Sequence, residues 1–369
     1  MMTIFESIKM EGKNNNRIAI VDIVKGIAII SVILLYTFSS EILLIIGAPF
    51  HIWQAVPIFI LIAGFIWSHS LSRRHPNISG EVSGVKILYS DLSHFIRRFK
   101  RILLPFWVIF IVEIFAIFLI LKENLTAFDI FSLFCSGGYG SGSYFIPVIL
   151  QLIIIAPIIY WLAIKNPNRM LLFVFTISLL LEFLAIMLNI SESSYRLLFI
   201  RYLFALALGV WFYLSKDQPI KLILCGAGIG FLYILFVNYL DFQFPFIFPA
   251  WRSQHAPSFF YTLLLVIVIF IVYSKIQNKK IFASIESMGI ASWHIFLIQM
   301  AYFWTLGSLI NKFIFRVLPK NLIFLDSINV ITLIGWFFLV VINLVICIGI
   351  GYFFYQLESE LSKRFNILK

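Results

Sequence analysis

Two charged groups and a phenol share one face of the first long apolar stretch, Arg17 to Phe38, RIAIVDIVKGIAIISVILLYTF. A helix advances about 100° per residue, which sets Asp22 and Lys25 one turn apart; Tyr36 returns to nearly the azimuth of Lys25 roughly 16 Å farther along the axis. The face reads carboxylate, ammonium, phenol, a set that can orient a reactant and move protons. Ionisable groups within a membrane span are costly and face a bundle interior or a wet cavity, so this face is a candidate site. The alternative reading is a paired anchor at the membrane interface, with the lysine stem snorkelling to water.

A second candidate lies before the third apolar stretch, where Arg97, Arg98, Lys100 and Arg101 crowd five positions. Such a cluster attracts anionic lipid headgroups. Arginine also offers forked donors to phosphate, so the same residues suit a nucleotide-bearing cofactor.

Glu113, Glu182 and Arg201 are isolated charges inside other apolar stretches. Each is a candidate for a cavity wall, and Glu182 with Arg201 could equally form a structural pair between neighbouring helices. The histidines are His51, His69, His75, His94, His255 and His294. They lack carboxylate or cysteine partners at ligand spacing, so no metal site is expected. No glycine-rich phosphate loop, serine elbow or zinc motif occurs.

The elements that must position these groups are membrane helices. Of 369 residues, 62% are hydrophobic and 12% charged, with mean hydropathy +1.01, against about 25% charged in soluble domains. The expected fold is an all-α integral membrane bundle of about ten helices, at 20–40, 51–71, 102–121, 144–164, 170–190, 196–214, 221–240, 258–274, 285–310 and 328–355. Residues 1–16 read as a lead-in on the cytoplasmic side, 17–356 as one bundle and 357–369 as a cytoplasmic tail. With the N-terminus inside, 20 of the lysines and arginines fall on the cytoplasmic side and 6 on the other, Lys25 and Arg201 being within spans. The positive-inside rule therefore places both termini in the cytoplasm of a multi-pass cell-membrane protein. The net charge of +11 reflects that topology, and nucleic acid is not an expected partner. Cys135, Cys225 and Cys347 have no ligand spacing. The first apolar stretch is long and lacks a small-residue cleavage site, so no cleavable signal is expected.

Six segments in order resemble the membrane acyltransferase-3 family. Asp22, Lys25-Gly26, Ala28 and Val32 resemble its opening signature, an Asp three positions before Arg-Gly or Arg-Ala. FHIWQAVPIFILIAGF is similar to its second span, and FIRRFKRILLPFW to its basic segment, with Arg98 and Arg101 as its Arg-x-x-Arg. SYFIPVILQLIIIAPII, FIRYLFALALGVWF and SMGIASWHIFLIQ resemble later spans, carrying the resemblance from Arg17 to Tyr302. Three positions depart from the pattern, the first being Lys25 in place of the signature's arginine. The first helix of the family carries a histidine where this chain has Tyr36, and its penultimate span ends in a histidine where this chain has Gln299.

The resemblance implies transfer of an acyl group, usually acetyl, from acyl-CoA to a hydroxyl of an envelope carbohydrate or lipid-linked glycan, within a shell of membrane lipids. Arg98 and Arg101 would hold cofactor phosphates, Lys25 would line the donor path and Asp22 would orient it. Tyr36 would position the acceptor or donate to the carbonyl oxygen. A histidine takes a proton near neutral pH and tyrosine does not, so His51 or His255, both on the outer side of this topology, would be recruited as base. The alternative is a member that has lost the chemistry and serves in glycan transport or export. An ion-coupled transporter would carry an inverted repeat, and the hydropathy pattern contains none.

Overall fold

The computed structural model describes residues 18–74, 92–122, 125–215, 219–276, 279–307, 309–310 and 330–365. The lead-in at 1–16, the segment 75–91 with His75, and the last residues of the tail lie outside them. The described residues are helical, with no strand among them. Eight of their helices are long and apolar enough to cross a membrane. Lipid offers backbone groups no hydrogen-bond partners, so a spanning segment must satisfy its own, as these helices do.

The first helix, α1 (Ala19–Thr37), is followed by the short α2 (Ser40–Ile45) and by α3 (Ala55–Arg74). Next come α4 (Leu92–Ala116), α5 (Ala127–Cys135), α6 (Phe145–Lys165), α7 (Pro167–Met187) and the one-turn α8 (Glu192–Arg196). The chain continues with α9 (Leu203–Leu214), α10 (Ile220–Tyr239), α11 (Phe259–Lys275), α12 (Ala283–Ile290), α13 (Ser292–Trp304) and α14 (Val330–Phe365). The expected tail at 357–369 begins as the last turns of α14. Large apolar side chains remain exposed along α4, Trp107, Val108, Ile111, Val112 and Phe115 among them. That stripe is what a lipid-facing helix presents.

Two of the expected spans take other forms. The sixth is shorter, a 3-10 turn at Phe199–Tyr202 leading into α9, and every residue from Leu203 to Tyr213 is buried. A helix apolar on all sides is enclosed by other helices. Its closest neighbour is α3, and the crossing is reciprocal: a Cβ on Gly64 would strike the Leu206 carbonyl, and one on Gly209 the Leu61 carbonyl. Small residues let membrane helices approach backbone to backbone. The ninth is split at Ala291 into α12 and α13. Splitting it lets α12 lie on the first turns of α1, where Gly26 faces the Ile285 backbone and Gly289 faces Asp22.

Between α5 and α6 the segment Ser136–Ser143 turns on Gly137, Gly138 and Gly142, with φ of +88°, +101° and +90°. Only glycine adopts such angles without strain. The segment packs against α4 and α13 through Glu113 and Met300.

Candidate functional site

One end of the bundle is basic, and a cavity of about 1110 Å³ opens there. Its wall follows α3 from Arg74 through Arg73, Ser70, His69, Trp67, Ile66 and Ala63 to Phe59. The fifteen helical steps from Arg74 to Phe59 correspond to roughly 22 Å, so the cavity is a shaft rather than a surface dish. From α1 and the residue before it the cavity takes Ile18, Val21, Asp22, Lys25 and Val32, and from α6 the helically spaced Phe145, Ile149 and Ile153.

Four residues expected from sequence, Asp22, Lys25, Arg98 and Arg101, line this one shaft. Lys25 Nζ lies 2.5 Å from Asp22 Oδ1. Asp22 is buried in the first turn of α1, where the helix dipole also favours a carboxylate. Arg98 rests its guanidinium 3.7 Å above the Trp67 ring, a stack that fixes the plane of the fork. Arg73, Arg74, Arg101 and Lys363 stand on the same wall, as do Ser359 and Ser362. The mouth is thus strongly cationic and hydroxyl-rich, and the shaft becomes apolar with depth.

The deep end is closed by aromatic rings. Trp293 and Phe296 stack at 5.6 Å, and Phe145 meets Phe296 edge-on at 5.4 Å. Tyr36 stands beyond that closure: a Cβ on Gly142 would lie 3.0 Å from its hydroxyl and 3.4 Å from Phe296. Gln299 is fully buried and donates from Nε2 to the Ser141 carbonyl at 3.4 Å. Tyr36 and Gln299, the two positions that replace histidines of the family pattern, therefore both touch the glycine segment Ser136–Ser143. Glu113 meets it as well, accepting from the Tyr139 N–H at 3.1 Å, and its role is to pin that segment to α4.

The remaining candidates lie elsewhere. His51 is exposed, just after the 3-10 turn Ala48–Phe50, and is not part of the shaft wall. His255 is fully buried. Its Nδ1 meets Glu182 Oε1 at 2.9 Å and its Nε2 meets the Ala250 carbonyl at 2.8 Å, so both ring nitrogens are engaged within the protein. Glu182 also accepts from the Tyr195 hydroxyl at 2.6 Å and the Phe248 N–H at 3.1 Å. It is a knot between α7, α8 and the Phe248–His255 segment, and its hydrogen-bond partner is His255 rather than Arg201. Tyr195 lies outside the spans; burial, then the adjacent Glu182 carboxylate, push its phenol well above the ordinary value.

Two groups on the shaft wall stand outside the site expected from sequence, His294, which reads there as a lone structural histidine, and Glu358, which falls in the expected tail. His294 of α13 bonds through Nε2 to the Glu358 carboxylate of α14, and both line the cavity. The available signal was the spacing of Glu358, Ser359, Ser362 and Lys363, which share a helical face in a stretch read as a tail. Among the described residues no cluster of three or more histidine, cysteine or carboxylate side chains could hold a metal.

A family model described as an acyltransferase domain matches residues 18–352. No curated protein and no solved structure matches the chain.

Proposed function

Because the chain belongs to the acyltransferase-3 family of membrane acyltransferases, we propose that it moves an acyl group, acetyl by preference, from acyl-CoA to a hydroxyl of an envelope carbohydrate. The observation that carries this reading is the single shaft that unites Asp22, Lys25, Arg98 and Arg101. In the cell membrane the basic end faces the cytoplasm, as the positive-inside rule requires, and the donor enters there.

The geometry suits a donor with a polyanionic head and an extended thioester arm. Arg98, Arg101, Arg73, Arg74 and Lys363 hold phosphates at the mouth, where arginine forks bind phosphate bidentately. The arm runs inward between α1, α3 and α6. Lys25, fixed by Asp22, lines that path and holds the polar arm of the donor by a charge-assisted hydrogen bond. Tyr36, past the aromatic closure, donates to the acceptor and orients its hydroxyl. The hydroxyl oxygen bonds to the carbonyl carbon, the carbon–sulfur bond breaks, and the hydroxyl proton ends on the departing sulfur. The thiol leaves along the shaft past His294 and Glu358.

The test is thiol release from acetyl-CoA by purified protein given envelope glycans. Acceptor-dependent release that Arg98→Ala with Arg101→Ala abolishes supports the reading, and absence of release from the natural chain refutes it. A second reading keeps the donor shaft but not the chemistry, leaving a bundle that serves glycan transport. It is favoured by Tyr36 in place of a base and by His255 having no ring nitrogen to spare. Binding of the donor without turnover would identify it.

A further inference from the structure

Arg201 is a buried cation that forms no ion pair among the described residues, and Glu182 acts on it only from a distance. It is 2% exposed, near the start of the Phe199–Leu214 segment, at the end of the bundle opposite the basic mouth. Its Nη2 donates to the Tyr202 hydroxyl at 2.7 Å, which donates to Gln254 Oε1 at 2.6 Å. Gln254 in turn donates to the Trp53 carbonyl at 2.8 Å. That chain locks the guanidinium in place but occupies one side of the fork only. Nη1 is buried with no hydrogen-bond partner among the described residues.

Three aromatic rings surround the guanidinium. The guanidinium carbon lies 4.4 Å from the Tyr202 ring centre, 4.5 Å from Trp251 and 5.4 Å from Tyr144. Glu182 is committed to His255 and Tyr195. A buried cation with an empty donor is expensive in a membrane bundle unless an anion arrives to meet it. Trp251, which covers the guanidinium, has φ of +52°. A bulky residue in that region is strained, and such strain gathers at binding sites. Arg196 sits 5.5 Å from the centre of the same Tyr144 ring and is exposed, a second cation beside it. Tyr36 is within electrostatic reach of Tyr144, Arg196 and Arg201.

We infer that Arg201 is the anchor for an anionic group on the acceptor, so that the carbohydrate acylated by this protein is acidic, carrying a carboxylate or a phosphate. The inference rests on the acyl-transfer reading and adds the acceptor's chemical class to it. Nη1 takes the anion, the rings of Tyr144 and Trp251 take the apolar faces of the sugar, and the bound sugar presents a hydroxyl toward Tyr36. Neutral glycans leave Nη1 unpaired and bind more weakly.

The experiment uses full-length protein, acetyl-CoA with a labelled acetyl group, and the envelope glycans of the source cells, with the product separated on an anion exchanger. The label is expected in the acidic fraction. Mild acid, which cleaves glycans from lipid phosphate, then moves it to the neutral fraction if the anion is a phosphate and leaves it acidic if the anion is a carboxylate. Arg201→Gln is expected to raise KM for the acceptor about tenfold or more, the loss of one charged hydrogen bond, with acetyl-CoA binding unchanged. Arg201→Lys, which keeps the charge and loses the fork, gives a smaller rise and serves if the glutamine variant fails to fold. Label in the neutral fraction, or an acceptor KM that neither variant moves, overturns the inference. Absence of label from every fraction with the natural chain overturns acyl transfer itself, and with it the inference.

Discussion

Gly289 of α12 lies directly on the backbone of Asp22 in α1, so close that a Cβ there would meet the Asp22 carbonyl. The contact fixes the height at which Asp22 and Lys25 face the shaft. Gly289→Ala should push α12 away at a cost of about 1–3 kcal/mol, the usual penalty of overpacking. Thermal unfolding in detergent should shift down, and donor binding should weaken with it, since the Asp22–Lys25 pair moves too.

Arg98→Ala with Arg101→Ala should weaken acyl-CoA binding by about 100-fold, since a hydrogen bond to a charged group contributes roughly 1.5–3 kcal/mol. The remaining affinity should depend less steeply on salt than that of the natural chain. Isothermal titration at two salt concentrations reads both effects. Arg97→Ala, a change at a position absent from the shaft wall, should leave affinity within about twofold, as surface substitutions do.

His255→Ala should act on folding. It strips the buried Glu182 carboxylate of its Nδ1 hydrogen-bond partner, and a buried acceptor left unsatisfied costs about 1–3 kcal/mol or more. Thermal unfolding and yield should fall together, while surviving folded protein keeps its affinity for acyl-CoA. His51→Ala, at an exposed position, should change neither stability nor turnover.

Phe296 closes the deep end of the shaft against Trp293 and Phe145. Phe296→Ala should open a passage toward Tyr36 and admit water to the thioester. Acetyl-CoA hydrolysis without acceptor should rise severalfold while donor affinity is kept, as measured by thiol release in the absence of glycan.

Much of this was legible before the structure, because the strongest signals are local. Apolar runs of membrane length, and the cation asymmetry between their connections, depend on stretches of about 20 residues. The first-helix face needed only the period of a helix to align Asp22 with Lys25. What could not be read is what lies across from what. Nothing in the sequence says that Glu182 meets His255 and not Arg201, because that pairing joins groups 73 positions apart. His294 looked like an isolated ring until α14 brought Glu358 beside it, and the split at Ala291 that aims α13 leaves no proline as a marker. The sixth span is short because it is enclosed by protein, and enclosure is a property of its neighbours rather than of its own residues.

The measurement that tests the central claim most directly is acceptor-dependent release of free thiol from acetyl-CoA, comparing the natural chain, the Arg98→Ala plus Arg101→Ala variant and Tyr36→His. The account predicts release by the natural chain, loss in the double arginine variant, and retained or faster release with Tyr36→His, where a base stands beyond the aromatic closure. Release that persists undiminished without Arg98 and Arg101, or a natural chain that stays silent while binding its donor, would contradict it.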